Sequence, residues 1–301
     1  MKKKLSSIIL LFISLVGFSQ QDSQFTQYMY NTVSINPAYV GSRDVLNINL
    51  LHRSQWVGVE GAPVTQTFSI DSPLGNKTGV GLTMFRDAIG PSIETNFSID
   101  FSYTIPFEKV MFAFGMRGGV NYLNIDFGRL NIHNPNDLLL QNNVKKISPV
   151  IGAGAYLYTD KWYFGVSSPS LLNTNHYKES TKTKVAERIH FYAIGGYVFD
   201  LSNTIQFKPA VLFKVTKGVP FALDISTNFL FNKRFTLGAS YRLDASMNAL
   251  VGFQVSRRLM LGYAYDYDLT DIGKYVKGSH EFFLRYEFFT GVKGKVNPRF
   301  F

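Results

Sequence analysis

Ile93-Glu94-Thr95-Asn96-Phe97-Ser98-Ile99-Asp100-Phe101-Ser102-Tyr103-Thr104-Ile105-Pro106-Phe107 reads as one long strand with two unlike faces. Successive side chains of a strand point to opposite sides. Ile93, Phe97, Ile99, Phe101, Tyr103, Ile105 and Phe107 therefore share an apolar face, and Glu94, Asn96, Ser98, Asp100, Ser102 and Thr104 share a polar one. No helical period fits this alternation. Soluble strands run to about five or six residues, whereas roughly 9–11 tilted residues cross a bilayer. The stretch predicts a strand with hydrocarbon on one side and polar groups on the other.

The composition points the same way. Of 301 residues, 27 are Phe and 17 are Tyr, while charged residues make up 17%, below the usual figure of about a quarter. The chain has no cysteine, which excludes disulfides, thiolate metal sites and cysteine nucleophiles. Its formal charge of +10 is spread over the leader, loops and tail, with no basic helix or aromatic–basic ribbon, so nucleic acid is not an expected partner. Lys2–Lys4, the apolar run Leu5–Val16 and the small residues Gly17 and Ser19 give Met1–Ser19 the pattern of a secretory signal peptide.

Outward from the opening stretch, the same alternation recurs in about fourteen segments, an even number as single-chain bacterial barrels have. Before it come Val45–Leu51, Val64–Asp71 and Gly79–Phe85. After it come Val110–Tyr122, Ser148–Tyr158, Lys161–Ser167, Arg188–Phe199, Thr204–Val215, Pro220–Phe231, Arg234–Leu243, Met247–Ser256, Arg258–Asp268 and His280–Phe289. His52–Pro63 and Arg86–Ser92 are expected as loops. Short connections, such as Pro106–Lys109, Thr159–Asp160 and Asn232–Lys233, fall on one side, and His52–Pro63, Asn124–Ile147, Ser168–Glu187 and Leu269–Ser279 on the other. Short turns inside and long loops outside are the outer-membrane pattern. The expected class is all-β: a transmembrane antiparallel β-barrel over residues 45–290, preceded by a periplasmic or lumen-packing segment at 20–44 and followed by a tail at 291–301. A soluble sandwich or lipocalin-like barrel also has one apolar face, but the strand length and the leader weigh against it.

Chemistry-bearing motifs are sparse. There is no Gly-x-Ser-x-Gly elbow, phosphate loop or His-Glu-x-x-His helix, so no catalytic residue, cofactor or metal is expected. The five histidines lack ligand spacing. Asp266, Asp268 and Asp271 cluster at a strand end but lack the glycine and distal glutamate of a calcium loop, and pairing with lumen Arg or Lys is the better reading. Trp56, close to Arg53, suits either a membrane-boundary aromatic or a protein contact.

Gln24-Phe25-Thr26-Gln27-Tyr28-Met29-Tyr30-Asn31 and Ile35-Asn36-Pro37-Ala38-Tyr39-Val40-Gly41-Ser42 resemble the opening signature of the PorP/SprF family of Bacteroidetes. The resemblance continues through Arg53-Ser54-Gln55-Trp56-Val57-Gly58, Ile89-Gly90-Pro91, Phe164-Gly165-Val166-Ser167-Ser168-Pro169 and Ser279-His280-Glu281. It implies an outer-membrane protein of the type IX secretion system and gliding motility. The partners it implies are a secreted surface adhesin or other cargo with a type B C-terminal domain, together with other type IX components and outer-membrane lipid. Asn36, Pro37, Ala38, Tyr39, Gly41, Arg53, Gln55, Trp56, Gly90 and Pro91 are its family-signature or partner-contact candidates. A passive pore lined by the polar face is the alternative function.

Overall fold

Alternation of polar and apolar residues commits each long segment to pairing on both edges, and the pairing closes on itself. The computed structural model describes residues 25–130, 143–172, 174–175, 186–187, 189–216 and 218–289. The expected signal peptide and tail lie outside them, as does most of Ser168–Glu187. Fourteen antiparallel strands form the barrel. In chain order they are β1 (Leu46–Ser54), β2 (Val64–Leu74), β3 (Thr78–Ile89), β4 (Ser92–Phe107), β5 (Val110–Ile125), β6 (Val144–Tyr158) and β7 (Trp162–Ser168). There follow β8 (His190–Tyr197, prolonged by Phe199–Asp200), β9 (Ile205–Thr216), β10 (Val219–Phe231), β11 (Phe235–Arg242), β12 (Ser246–Gln254), β13 (Leu259–Asp268) and β14 (Ser279–Phe288). Each strand pairs with its sequence neighbours, and β1 closes the ring on β14 with Leu46 opposite Phe288 and Arg53 opposite Glu281. Closure removes the exposed edges that a bilayer would not tolerate.

The barrel is apolar outside and polar inside. In β4, Ile99 is 60% exposed while its neighbour Asp100 is 0% exposed. Phe97, Phe101 and Tyr103 face out with Ile99, and Ser98 and Ser102 face in with Asp100. The same inversion holds for Phe114, Leu237, Tyr241 and Leu261 outside, against Arg117, Thr236, Arg242 and Met260 inside. At the end with short turns, the rings of Phe199, Phe207, Phe229, Phe231 and Phe235 follow one another across the wall, an aromatic girdle at the membrane boundary. A charge on this wall is expensive. Ile99→Arg is expected to lower the free energy of unfolding in lipid bilayers by about 2–4 kcal/mol; an unchanged value would place Ile99 away from hydrocarbon.

Residues 55–63, 126–143, 169–189 and 269–278 make long connections at one end, the outer end by the loop-length rule. The strands from β1 to β6 are longer than the sequence pattern marks, while β11 and β12 are slightly shorter. His52 and Arg53 belong to β1, and Arg86–Ile89 to β3, leaving Gly90-Pro91 alone as the turn. Polar residues facing outward (His52, Arg86) break the apolar alternation there, while pairing continues without interruption.

The interior is occupied. Every residue from Phe25 to Val40 except Ser34 is buried, within one turn of helix (α1, Thr32–Ile35) and a tighter turn at Pro37–Tyr39. An irregular segment can be buried only if its backbone groups find partners, and here the inward faces of many strands supply them. Arg117 of β5 donates to the carbonyls of Val33 (2.7 Å) and Ser34 (2.9 Å), Ser167 of β7 to Ile35 (2.8 Å) and Ser102 of β4 to Val40 (2.7 Å). The Gly41 N–H donates to Asp71 of β2, and those of Thr26 and Gln27 to Glu281 of β14. Tyr30 stacks on Phe283 at 5.2 Å, and Tyr39 meets Tyr156 edge-on at 5.4 Å. Glycine lets the wall approach: a Cβ on Gly115 would overlap the Ala38 backbone, and one on Gly79 the Val40 carbonyl.

Candidate interaction site at the outer mouth

The internal segment runs from the mouth downward. Thr26 meets Asp266 and Glu281, and the Phe25 carbonyl meets Arg242, all toward the long-loop ends of their strands. Arg43 pairs with Glu287 at the opposite end, just before β1 begins. Phe25 therefore sits near the outer mouth and Arg43 at the base.

Around Phe25 and Thr26 the wall carries an ionic lattice. Arg53 lies 2.6 Å from Asp266 and 3.2 Å from Glu281, and Arg242 lies 3.0 Å from Asp224. All these side chains are buried. Thr26 Oγ1 donates to Asp266 at 2.7 Å. The lattice thus ties β1, β10, β11, β13 and β14 to the internal segment. Lower down, Arg117 joins Asp100 at 2.6 Å while holding the Val33 and Ser34 carbonyls. Burial pushes the Tyr30 phenol up to about 12, and raises that of Tyr28 too, with the Asp224 charge adding to it. Both rings stay neutral across physiological pH.

Above the lattice the first loop braces the mouth. The Trp56 indole N–H donates to Asp268 (3.3 Å) and its backbone N–H to Ser279 (3.2 Å). The Val57 N–H donates to the Gly278 carbonyl and the Lys277 N–H to that of Val57, each at 2.9 Å, stitching residues 55–63 to 269–278. Gly90 donates to the Gly61 carbonyl at 2.9 Å, bringing in the β3–β4 turn, and the Pro91 carbonyl accepts from Asp126 at 3.0 Å. On this frame Val59, Leu130, Leu171, Leu269 and Tyr275 are exposed; Tyr275, at 81%, is almost wholly bare.

The candidate residues fall into two groups. Asn36, Pro37, Ala38 and Tyr39 are buried inside the barrel, where Asn36 accepts from the Ala38 N–H (2.9 Å) and donates to the Ala155 carbonyl (3.1 Å). Gly41 joins them, with a φ of 74° that favours glycine. Arg53, also buried, belongs to the lattice. Gln55, Trp56, Gly90 and Pro91 gather at the mouth, where the Gln55 N–H donates to the Pro63 carbonyl at 2.9 Å. The three aspartates go separate ways: Asp266 to Arg53, Asp268 to Trp56 and Asp271 to Lys274. Among the described residues no group of His, Cys, Asp or Glu is placed to hold a metal ion. Sequence reading missed the grip of Arg117, Glu281 and Thr26 on the internal segment. An arginine facing inward in the middle of β5 and an acid facing inward near the start of β14 were the available signal.

Comparison with known proteins adds the lineage. A family model described as "Type IX secretion system membrane protein PorP/SprF" matches residues 17–286. Among solved structures, the outer-membrane protein Omp33 of Acinetobacter baumannii is similar at 8% identity and a TM-score of 0.48, covering 81% of this chain and 99% of its own. The toluene transporter TodX of Pseudomonas putida is similar at 10% identity and 0.49, covering 90% and 95%. Among curated proteins none matches. The closed strands, outward apolar belt and polar interior make this an outer-membrane protein. Matched along nearly its whole length, the chain belongs to the PorP/SprF family of type IX secretion system membrane proteins.

Proposed function

We propose that this protein is a plugged outer-membrane scaffold whose outer mouth docks a secreted surface adhesin, or other cargo carrying a type B C-terminal domain, and supports its export or anchoring in gliding motility. In this reading Met1–Ser19 is the export signal, residues 20–44 are the plug and residues 45–290 are the barrel. The observation that carries it is the segment from Phe25 to Arg43, hydrogen-bonded to strands around the ring, which leaves the mouth rather than the lumen as the working surface. The mouth, with exposed Val59 and Leu171 and the nearly bare Tyr275, supplies apolar contact area of the kind that marks interaction sites. Gln55, Trp56, Gly90 and Pro91 shape that area, and the reading assigns no catalytic role. Deleting the gene is expected to abolish surface display of at least one large adhesin while the barrel's neighbours in the membrane persist. Unchanged adhesin display and unchanged gliding would overturn the proposal. A passive pore would leave adhesins in place and remove a steady ionic conductance instead.

A further inference from the structure

Among the described residues, the lipid-facing wall carries one charge away from the strand tips. Among the described residues, the charged side chains of the strands point into the barrel, except Lys145 at the outer tip of β6 and Arg86 of β3, which share the outward face with residues such as Met84. No carboxylate among the described residues pairs with Arg86. The register sets it directly opposite Gln66 of β2, and Gln66 opposite His52 of β1. The three outward polar side chains therefore stand in a row. His52 lies within hydrogen-bonding reach of Gln66 (3.4 Å) and of Ser54 (3.1 Å).

Below this row the wall is hollowed. A groove of about 580 Å³ is lined by the outward side chains of Leu50, Phe68, Met84, Leu261, Phe282 and Leu284, with the polar row along one edge. That volume lies in the range of ligand sites. His52 lies two residues before the end of β1 and Arg86 three before the end of β3, both at the long-loop end. The polar row therefore belongs to the outer leaflet and the groove to the hydrocarbon beneath it.

We infer that this wall binds a phosphorylated glycolipid of the outer leaflet, with an acyl chain in the groove and a headgroup phosphate on Arg86. The chemistry is complementary in each part. An unpaired guanidinium facing hydrocarbon is costly, and its planar fork matches phosphate oxygens. Gln66, oriented by His52 through its amide nitrogen, offers its carbonyl oxygen to a sugar hydroxyl beside that phosphate. The lining below presents no charge to an acyl chain. An arginine that merely snorkels to the interface would need neither the polar row nor the hollow.

The test uses the full barrel in mild detergent, with purified lipid A as the probe and native mass spectrometry as the readout. The unmodified protein is expected to hold one lipid A, and Arg86→Leu to bind it about tenfold more weakly or worse. Arg86→Lys should recover part of the affinity, since it restores the charge without the fork. Met84→Trp fills the groove while keeping Arg86, and should also weaken binding. Leu237→Ala, far around the wall, should not. Heat-modifiable gel mobility shows that each variant is folded. Equal binding by the unmodified protein and Arg86→Leu would overturn the inference. So would binding of a glycerophospholipid as tight as that of lipid A, or loss of a co-purifying integral membrane protein, rather than lipid, on Arg86→Leu.

Discussion

Arg53→Ala is expected to destabilise the barrel by about 3–5 kcal/mol, the range for breaking a buried ion pair. The size follows from what would be left behind. Arg53 is the cation between Asp266 and Glu281, and all three side chains are at most a few per cent exposed. Without it, two carboxylates face each other with only neutral donors, from Thr26, Gln27 and the Asn248 amide, left to them. Arg53→Lys should recover only part of the loss, because a single ammonium cannot match the fork of the guanidinium. Trp56 follows directly on this corner and, with the other tryptophan removed as Trp162→Phe, offers a local fluorescence probe, so urea unfolding can be followed there and by circular dichroism together. A loss below about 1 kcal/mol, the worth of an exposed pair, would mean that water reaches this corner of the lumen.

The second large effect is expected at Gly115. A side chain there meets backbone atoms of Pro37 and Ala38, which cannot move aside by changing rotamer. Gly115→Val should therefore displace the Pro37–Tyr39 turn, break the Asn36–Ala38 bond that holds it, and open a path along the polar wall. Gly118 is the internal control. It lies on the same strand with an outward side and nothing within 4 Å of an added Cβ. Gly118→Val should leave the barrel closed, whereas Gly115→Val should conduct ions in planar bilayers. Equal conductance from the two variants would refute the close contact.

How far the fold was legible depends on which physical constraint wrote each part. The outer wall obeys a period of two because lipid penalises every lapse, so Phe97, Phe101, Tyr241 and Leu261 announce their side. The even strand count and the alternation of short and long connections follow from that pattern. Strand ends were harder to see. Arg53 and Arg86 resemble loop residues, yet one is buried in an ionic lattice and the other faces out beside His52 and Gln66. The interior was the least legible. Phe25–Arg43 has no period because its partners lie on β2, β4, β5, β7, β11, β13 and β14, scattered across the chain. No local signal marks Gly115 as the place where Ala38 rests. The signature Asn36-Pro37-Ala38-Tyr39 was readable as a motif, and its burial gives it a physical reason: a tight turn fitted against glycine in the wall.

The occupied lumen is the claim on which the rest depends, and steady-state conductance of the unmodified protein in planar bilayers tests it most directly. A barrel filled by Phe25–Arg43 should insert without a lasting open level, and show one only after Gly115→Val. A stable, voltage-independent open current from the unmodified chain would contradict the filled lumen and return the protein to the class of passive pores.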